Sequence, residues 1–170
     1  MLPGVRDFMV ALIKGTKAPA FELTGLDGKR YNLQMSASST GLVVLAFFKV
    51  SCPTCQFTFP FLERLHKNYP NANIWGVSQD DVGASGAYAK EYGITFPILI
   101  DEGLKATVNY DLSTVPSIIR LDKNLAIQQT SVGFVRAELE ELNQAVAGAI
   151  NHAVVKLFQP GEDIPALKAG

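Results

Sequence analysis

Cysteine is scarce in this chain: it has 170 residues and two cysteines, both within the run Cys52-Pro53-Thr54-Cys55. A small secreted domain held by a disulfide framework would use more cysteines at wider spacing. So short a loop also removes little entropy from the unfolded chain, so stability does not explain the pair. Histidine is equally scarce, with only His66 and His152. A zinc site built on the two thiols would need two further soft or imidazole ligands. His66 lies 11 residues after Cys55, roughly 16 Å along a helix at 1.5 Å per residue, so it cannot complete a tetrahedron and no metal is expected. Excess charge is missing: the formal net charge is -1 and the pI about 6.1, which gives no support for nucleic acid as a partner. Long apolar runs are missing too. The longest is residues 42–48, seven residues, against the roughly 18–20 a membrane-spanning helix needs. Residues 10–13 are too short for the apolar core of a secretory signal, and Arg6 and Asp7 make no basic lead-in. Two locations follow as expectations: cytoplasmic as written, or extracytoplasmic if a signal or anchor has been trimmed.

What is present suits one domain. Apolar residues make up 48% of the chain and charged residues 18%, enough for a sizeable core. Residues 21–26 and 29–33 flank Asp27-Gly28, a signal for a hairpin with a two-residue turn. The Ser-rich stretch 35–41 reads as a loop. Residues 42–48 show no polar alternation, which predicts a strand covered on both faces at the centre of a sheet. From Pro53 to about Tyr69 the apolar residues Phe57, Phe61 and Leu65 recur every four positions, predicting a helix. Pro53 suits its first turn, and Pro60 should kink it. Strands are predicted at 74–78 and 96–100, a helix at 84–92, a short helix or turn at 104–110, a second hairpin at 117–121 and 125–132, and a closing helix at 136–150. Strands alternating with helices point to an α/β three-layer sandwich, with a central mixed sheet, helices on both faces and an added N-terminal β-hairpin. The chain divides into an N-terminal extension (1–14), one domain (15–150) and a C-terminal tail (151–170).

A weak echo links the two ends. Gly15, Pro19, Ala20 and Phe21 match Gly161, Pro165, Ala166 and Leu167 in spacing. It reads as coincidence or a generic extended docking segment, the alternative being a tail that lies on this chain or a neighbouring one.

The chemistry centres on the cysteine pair. Disulfide exchange needs a thiolate that attacks and a second thiol that resolves the mixed disulfide. Two intervening residues place both sulfurs at the start of one helix. Cys52 precedes that helix, where free N–H groups and the positive end of the dipole favour its thiolate. Lys49 adds positive potential, and Pro53 and Thr54 shape the turn. Cys52 is therefore expected to be the exposed attacking thiol, and Cys55 the buried resolving one.

With these residues in place, the sequence resembles the thioredoxin-like superfamily, most closely the TlpA-like thiol–disulfide oxidoreductases of the alkyl hydroperoxide reductase/thiol-specific antioxidant (redoxin) group. The resemblance runs from about Gly15 to Ile150. It includes Gly15-x-x-x-Pro19-x-Phe21-x-Leu23, the passage 43–60 with Pro60 five residues after Cys55, Gly76-Val77-Ser78, Tyr92-Gly93-Ile94-Thr95-Phe96-Pro97 and Thr114-Val115-Pro116-Ser117. It implies that Pro116 is a cis-proline facing the dithiol and that Val115 touches the sulfurs or the substrate backbone. It also implies protein disulfide or thiol partners together with a thiol reductant or oxidant, and no cofactor. There are departures. Ala46 stands where thioredoxins carry a buried acid, Ser51 where a tryptophan is frequent, and Thr58 where some members have glutamate. Proton transfer at Cys55 then falls to water or to Thr58.

Two other functions compete with disulfide exchange. A thiol peroxidase would fit the fold, but Leu45 and Lys49 replace the proline and the Thr or Ser expected seven and three residues before a peroxidatic cysteine. A non-enzymatic interaction module would have no use for an intact dithiol. Elsewhere, His66 reads as a solvated helix residue, Trp75 as core, and Asp80, Asp81, Asp101 and Glu102 as loop and helix-start acids rather than a cation site.

Overall fold

The computed structural model describes residues 13–170, so the expected extension at 1–14 lies almost wholly outside the described residues. Residues 42–48, which lack polar alternation, form the central strand β3 (Leu42–Phe48), and every one of them is buried. Alternate side chains face opposite ways. Val44, Ala46 and Phe48 enter one core, while Val43, Leu45 and Phe47 enter another on the far side of the sheet.

Around β3 lie β1 (Glu22–Gly25), β2 (Arg30–Asn32), β4 (Asn73–Ser78), β5 (Ile98–Ile100), β6 (Ser117–Asp122) and β7 (Ile127–Val132), in the order β2-β1-β5-β4-β3-β6-β7. β3, β4 and β5 are parallel, and the pairings β1–β2, β1–β5, β3–β6 and β6–β7 are antiparallel, so the sheet is mixed. The helices are α1 (Leu33–Thr40), α2 (Pro53–Asn68), α3 (Val82–Tyr92), α4 (Lys105–Asn109) and α5 (Arg136–Ala149), with one 3-10 turn at Glu102–Leu104. The connections β3–α2–β4 and β4–α3–β5 step the same way across the sheet. Right-handed crossovers therefore bring both helices to one face, where Phe59, Leu62, Leu65 and Tyr88 share a core with Leu139, Leu142 and Val146 of α5. Leu33 and Ala37 of α1 and Ala106 of α4 meet Trp75 on the other face.

Two sequence expectations change. Residues 35–41 are not a loop, because α1 covers 33–40. Asn32 caps it by accepting the Met35 N–H at 3.0 Å, Leu33 and Ala37 lie buried one turn apart, and Gly41 closes it with φ 79°. The serine hydroxyl that counts against a helix is absorbed locally, with Ser39 donating to the Ser36 carbonyl. The first hairpin turns through residues 26–29, not through two residues. Gly25 N–H donates to the Lys29 carbonyl and Gly28 to the Gly25 carbonyl, while Gly28 takes a φ of +78° that favours glycine. The helix α2 runs from Pro53 to Asn68 with Pro60 inside it, a proline that cannot donate to the Gln56 carbonyl.

The segment 151–170 is part of the fold. Leu157 and Phe158 are buried in the α2/α5 core. Asn143 of α5 donates to the Val155 carbonyl at 2.8 Å, and Val155 N–H donates to the Tyr69 hydroxyl at 2.9 Å. Arg64 meets Glu162 at 2.7 Å and holds its carboxylate below the usual range. The tail ends in β9 (Leu167–Lys168), antiparallel to β8 (Phe134–Val135). In the echo noted at the two ends, both glycines have positive φ, +91° at Gly15 and +87° at Gly161.

Candidate active site

Register places the site. Phe48 ends β3 opposite Ser78, and Phe47 faces Ser117. The segment just before Ser117 therefore lies beside the chain leaving β3. That chain, residues 49–52, is held on several sides. Gln79 N–H donates to the Phe48 carbonyl at 3.0 Å, Asp80 Oδ2 accepts the Val50 N–H at 2.8 Å, and Gln56 Nε2 donates to the Val50 carbonyl at 2.9 Å. Asp80 thus has a positioning task, and Gln56 is one that sequence reasoning missed. A polar residue on a helix surface carries no signal of a loop 6 residues upstream.

Cys52 is the N-cap of α2, and its Sγ accepts the Cys55 N–H at 3.1 Å. Helix N-termini leave such N–H groups without an intrahelical partner, so the sulfur meets a donor at the positive end of the helix dipole. Pro53 takes the first helical position, where its missing N–H costs nothing. Cys55 is fully buried, and both cysteines are free thiols. Burial pushes the Cys55 thiol well above its ordinary range, the hydrogen bond with Cys52 adds to this, and a backbone contact at Lys49 opposes it.

The Val115–Pro116 peptide bond is cis. Cys52 Sγ lies 3.5 Å from the Val115 carbonyl oxygen, and the Pro116 carbonyl accepts the Gly133 N–H at 2.8 Å. The structure therefore brings Cys52, Cys55, Val115 and Thr54 together, with Pro116 adjoining. Lys49 has an exposed side chain, and its backbone carbonyl accepts the Cys52 N–H at 3.2 Å. One expectation is corrected here. Cys52 is half-buried, not exposed. Thr54, inside the dithiol motif, is buried and donates to the Ala169 carbonyl at 2.6 Å. The tail lies against the motif at Thr54.

Thr58 faces inward and is fully buried, but its hydroxyl donates to the Thr54 carbonyl at 2.7 Å. Its proton is thus committed to the helix backbone. A different hydroxyl is near: Tyr88 is 3% exposed, its oxygen has no partner among the described residues, and it lies within electrostatic reach of both cysteines. His66 is half-buried rather than solvated, its ring edge-on to Phe96 at 6.1 Å. Trp75 is core, packed edge-on against Tyr31. Asp81 caps α3, and the Asp101 carboxylate accepts from Ala106 N–H, Thr107 N–H and the Thr107 hydroxyl in the first turn of α4. Among the described residues no three His, Cys, Asp or Glu side chains are grouped to hold a metal ion.

Known proteins are similar to this chain. The model of the AhpC/TSA family matches residues 14–130. The thioredoxin-like protein YneN of Bacillus subtilis is 31% identical over 140 residues, covering 78% of this chain and 79% of YneN. The thiol-disulfide oxidoreductase ResA of Bacillus thuringiensis is 27% identical over 123 residues, covering 70% of this chain and 69% of ResA. Among solved structures, a Chlorobium tepidum protein described as a thiol:disulfide interchange protein DsbE superposes with a TM-score of 0.72 at 25% identity, covering 82% of this chain and 99% of that one. With a dithiol at the start of a helix that leaves a fully buried central strand, and with the family model spanning that passage, the chain belongs to the AhpC/TSA family.

Proposed function

We propose that the Cys52–Cys55 pair of this thiol–disulfide oxidoreductase exchanges disulfides with protein thiol partners, Cys52 attacking and Cys55 resolving. The observation that carries the assignment is the contrast between the two sulfurs. Cys52 Sγ sits half-buried at the helix N-cap against the Cys55 N–H, while Cys55 is fully buried with its thiol proton held tightly.

In the reducing direction, the Cys52 thiolate forms a bond to one sulfur of a substrate disulfide. The S–S bond breaks, and the departing sulfur leaves as a thiolate that takes a proton from solvent. Cys55 then gives up its proton and attacks Cys52 Sγ, expelling the second substrate thiolate. The substrate gains two electrons and two protons, and the protein becomes the Cys52–Cys55 disulfide, which an external thiol reductant resets. Run backwards, the same atoms oxidise a dithiol. Val115 and Pro116 line the approach to Cys52. Pro53 holds the first turn of the helix, and Lys49 contributes through its carbonyl.

The test compares wild type, Cys52→Ser and Cys55→Ser in two arms, reduction of a disulfide substrate and consumption of hydrogen peroxide. Cys52→Ser should abolish exchange, and Cys55→Ser should accumulate mixed disulfides visible by non-reducing electrophoresis. Strong disulfide reduction by Cys52→Ser would sink the assignment. Cys52-dependent peroxide consumption far above that of a free thiol would favour a peroxidase instead.

A further inference from the structure

One segment makes contacts at the dithiol that the exchange reaction does not require. The chain 167–170 leaves β9 and runs between Gly133 and the Thr114–Val115 peptide. A β-carbon on Gly133 would come within 2.6 Å of the Lys168 carbonyl oxygen. A β-carbon on Gly170 would overlap the Val115 carbonyl oxygen and approach Thr114 Cγ2 to 2.6 Å. That Val115 oxygen is the one lying 3.5 Å from Cys52 Sγ. On the other side, the Ala169 carbonyl accepts the Thr54 hydroxyl at 2.6 Å, and Lys168 Nζ stands 5.1 Å above the Phe57 ring. Upstream, the segment pairs as a strand, Phe134 with Lys168 and Val135 with Leu167, and the Ala166 carbonyl accepts the Arg136 N–H at 3.0 Å. An extended backbone thus adds to the edge of β8 and lies against Val115 and Thr54, the way one chain recognises another by strand addition.

We propose that residues 167–170 occupy, within the molecule, the groove that receives an extended polypeptide of a protein substrate, so that the tail must lift before a protein disulfide reaches Cys52. The inference rests on the reading of Cys52 as the attacking thiol. The groove takes main chain with a small residue beside Val115, because the space at Gly170 has no room for a β-carbon. A small disulfide needs only the sulfur, whereas a polypeptide needs the groove. The tail therefore discriminates by the size of the substrate. It is anchored upstream by Leu157 and Phe158 in the core and by Arg64–Glu162, so lifting residues 167–170 does not require unfolding the domain.

The test uses two variants of the whole 170-residue chain, Gly170→Val, whose side chain cannot fit against the Val115 carbonyl, and Lys168→Pro, which has no N–H for pairing with β8. Hydrogen exchange should show faster exchange of the remaining amides at 167–170 in both. Reduction of insulin should rise threefold or more, while reduction of 5,5′-dithiobis(2-nitrobenzoate) stays within twofold of wild type. Alkylation of Cys52 by a polymer-linked maleimide should rise in parallel, with iodoacetamide changed less. Equal changes with large and small reagents, or no release of the segment in either variant, would overturn the proposal. If wild type and both variants fail to reduce either disulfide, the exchange reading fails. The two alkylation rates then decide occupancy of the groove: a rise confined to the polymer-linked reagent supports it, and unchanged rates overturn it.

Discussion

Burial raises the Cys55 thiol far above its ordinary range, and this separates it from a cysteine three residues away with the same side chain. A thiol reacts as its thiolate, so in a Cys52→Ser protein the remaining Cys55 should be alkylated by iodoacetamide at pH 8 at least about tenfold more slowly than a free cysteine. The same shift has a consequence for stability. A group whose folded value is raised stabilises the fold below its unfolded value, about 8.5 for a thiol, and loses that contribution as pH rises towards the folded value. The urea midpoint of the reduced protein should therefore fall between pH 8 and pH 10, and fall less steeply in Cys55→Ala. The unpartnered, buried hydroxyl of Tyr88 was invisible in the sequence, since nothing about a tyrosine 33 residues downstream announces that α3 packs in the same core as α2.

At the scale of elements, α2 must be held in register for its N-terminus to meet Val115. Glu63, buried on α2, accepts the Thr95 N–H at 2.8 Å and the Phe96 N–H at 3.4 Å, and it also bonds the Thr95 hydroxyl. It thereby ties the helix to the segment leading into β5. Glu63→Ala leaves those donors unpaired in the interior, so unfolding in urea should show a loss of about 2–3 kcal/mol. A midpoint unchanged within error would show that water replaces the carboxylate. The central strand and α2 were legible because their patterns are local: seven apolar residues in a row for β3, and a spacing of four for α2. The helix α1 was not. Its serines favour turns when judged by composition, and only the burial of Leu33 and Ala37 against the sheet tips the balance.

At the scale of the whole molecule, the tail is the largest departure from the sequence reading. Residues 151–170 contain no periodic run long enough to mark an element, yet Phe158 is 8% exposed and meets Phe61 and Phe134. Phe158→Ala should cost about 3 kcal/mol, read as a lower urea midpoint of the whole domain. A loss confined to the tail, with the domain midpoint unchanged, would make the tail an appendage. The two segments of the echo make different contacts: Gly15 and Ala18 N–H donate to the Ile127 and Leu125 carbonyls, whereas Leu167 pairs with Val135 of β8.

The sequence by itself determined the dithiol, its place at the start of a helix and the buried strand before it, because each depends on residues within a turn or two of one another. The AhpC/TSA likeness was legible for the same reason, as short motifs in fixed order. The likeness also implied that Val115 touches the sulfurs, and the structure puts its carbonyl oxygen 3.5 Å from Cys52 Sγ, 63 residues along the chain, by pairing β6 with β3. Only the tertiary structure decided that Thr54 is buried, across 115 residues of chain. Contacts over such distances arise from sheet register and packing, which no local pattern encodes.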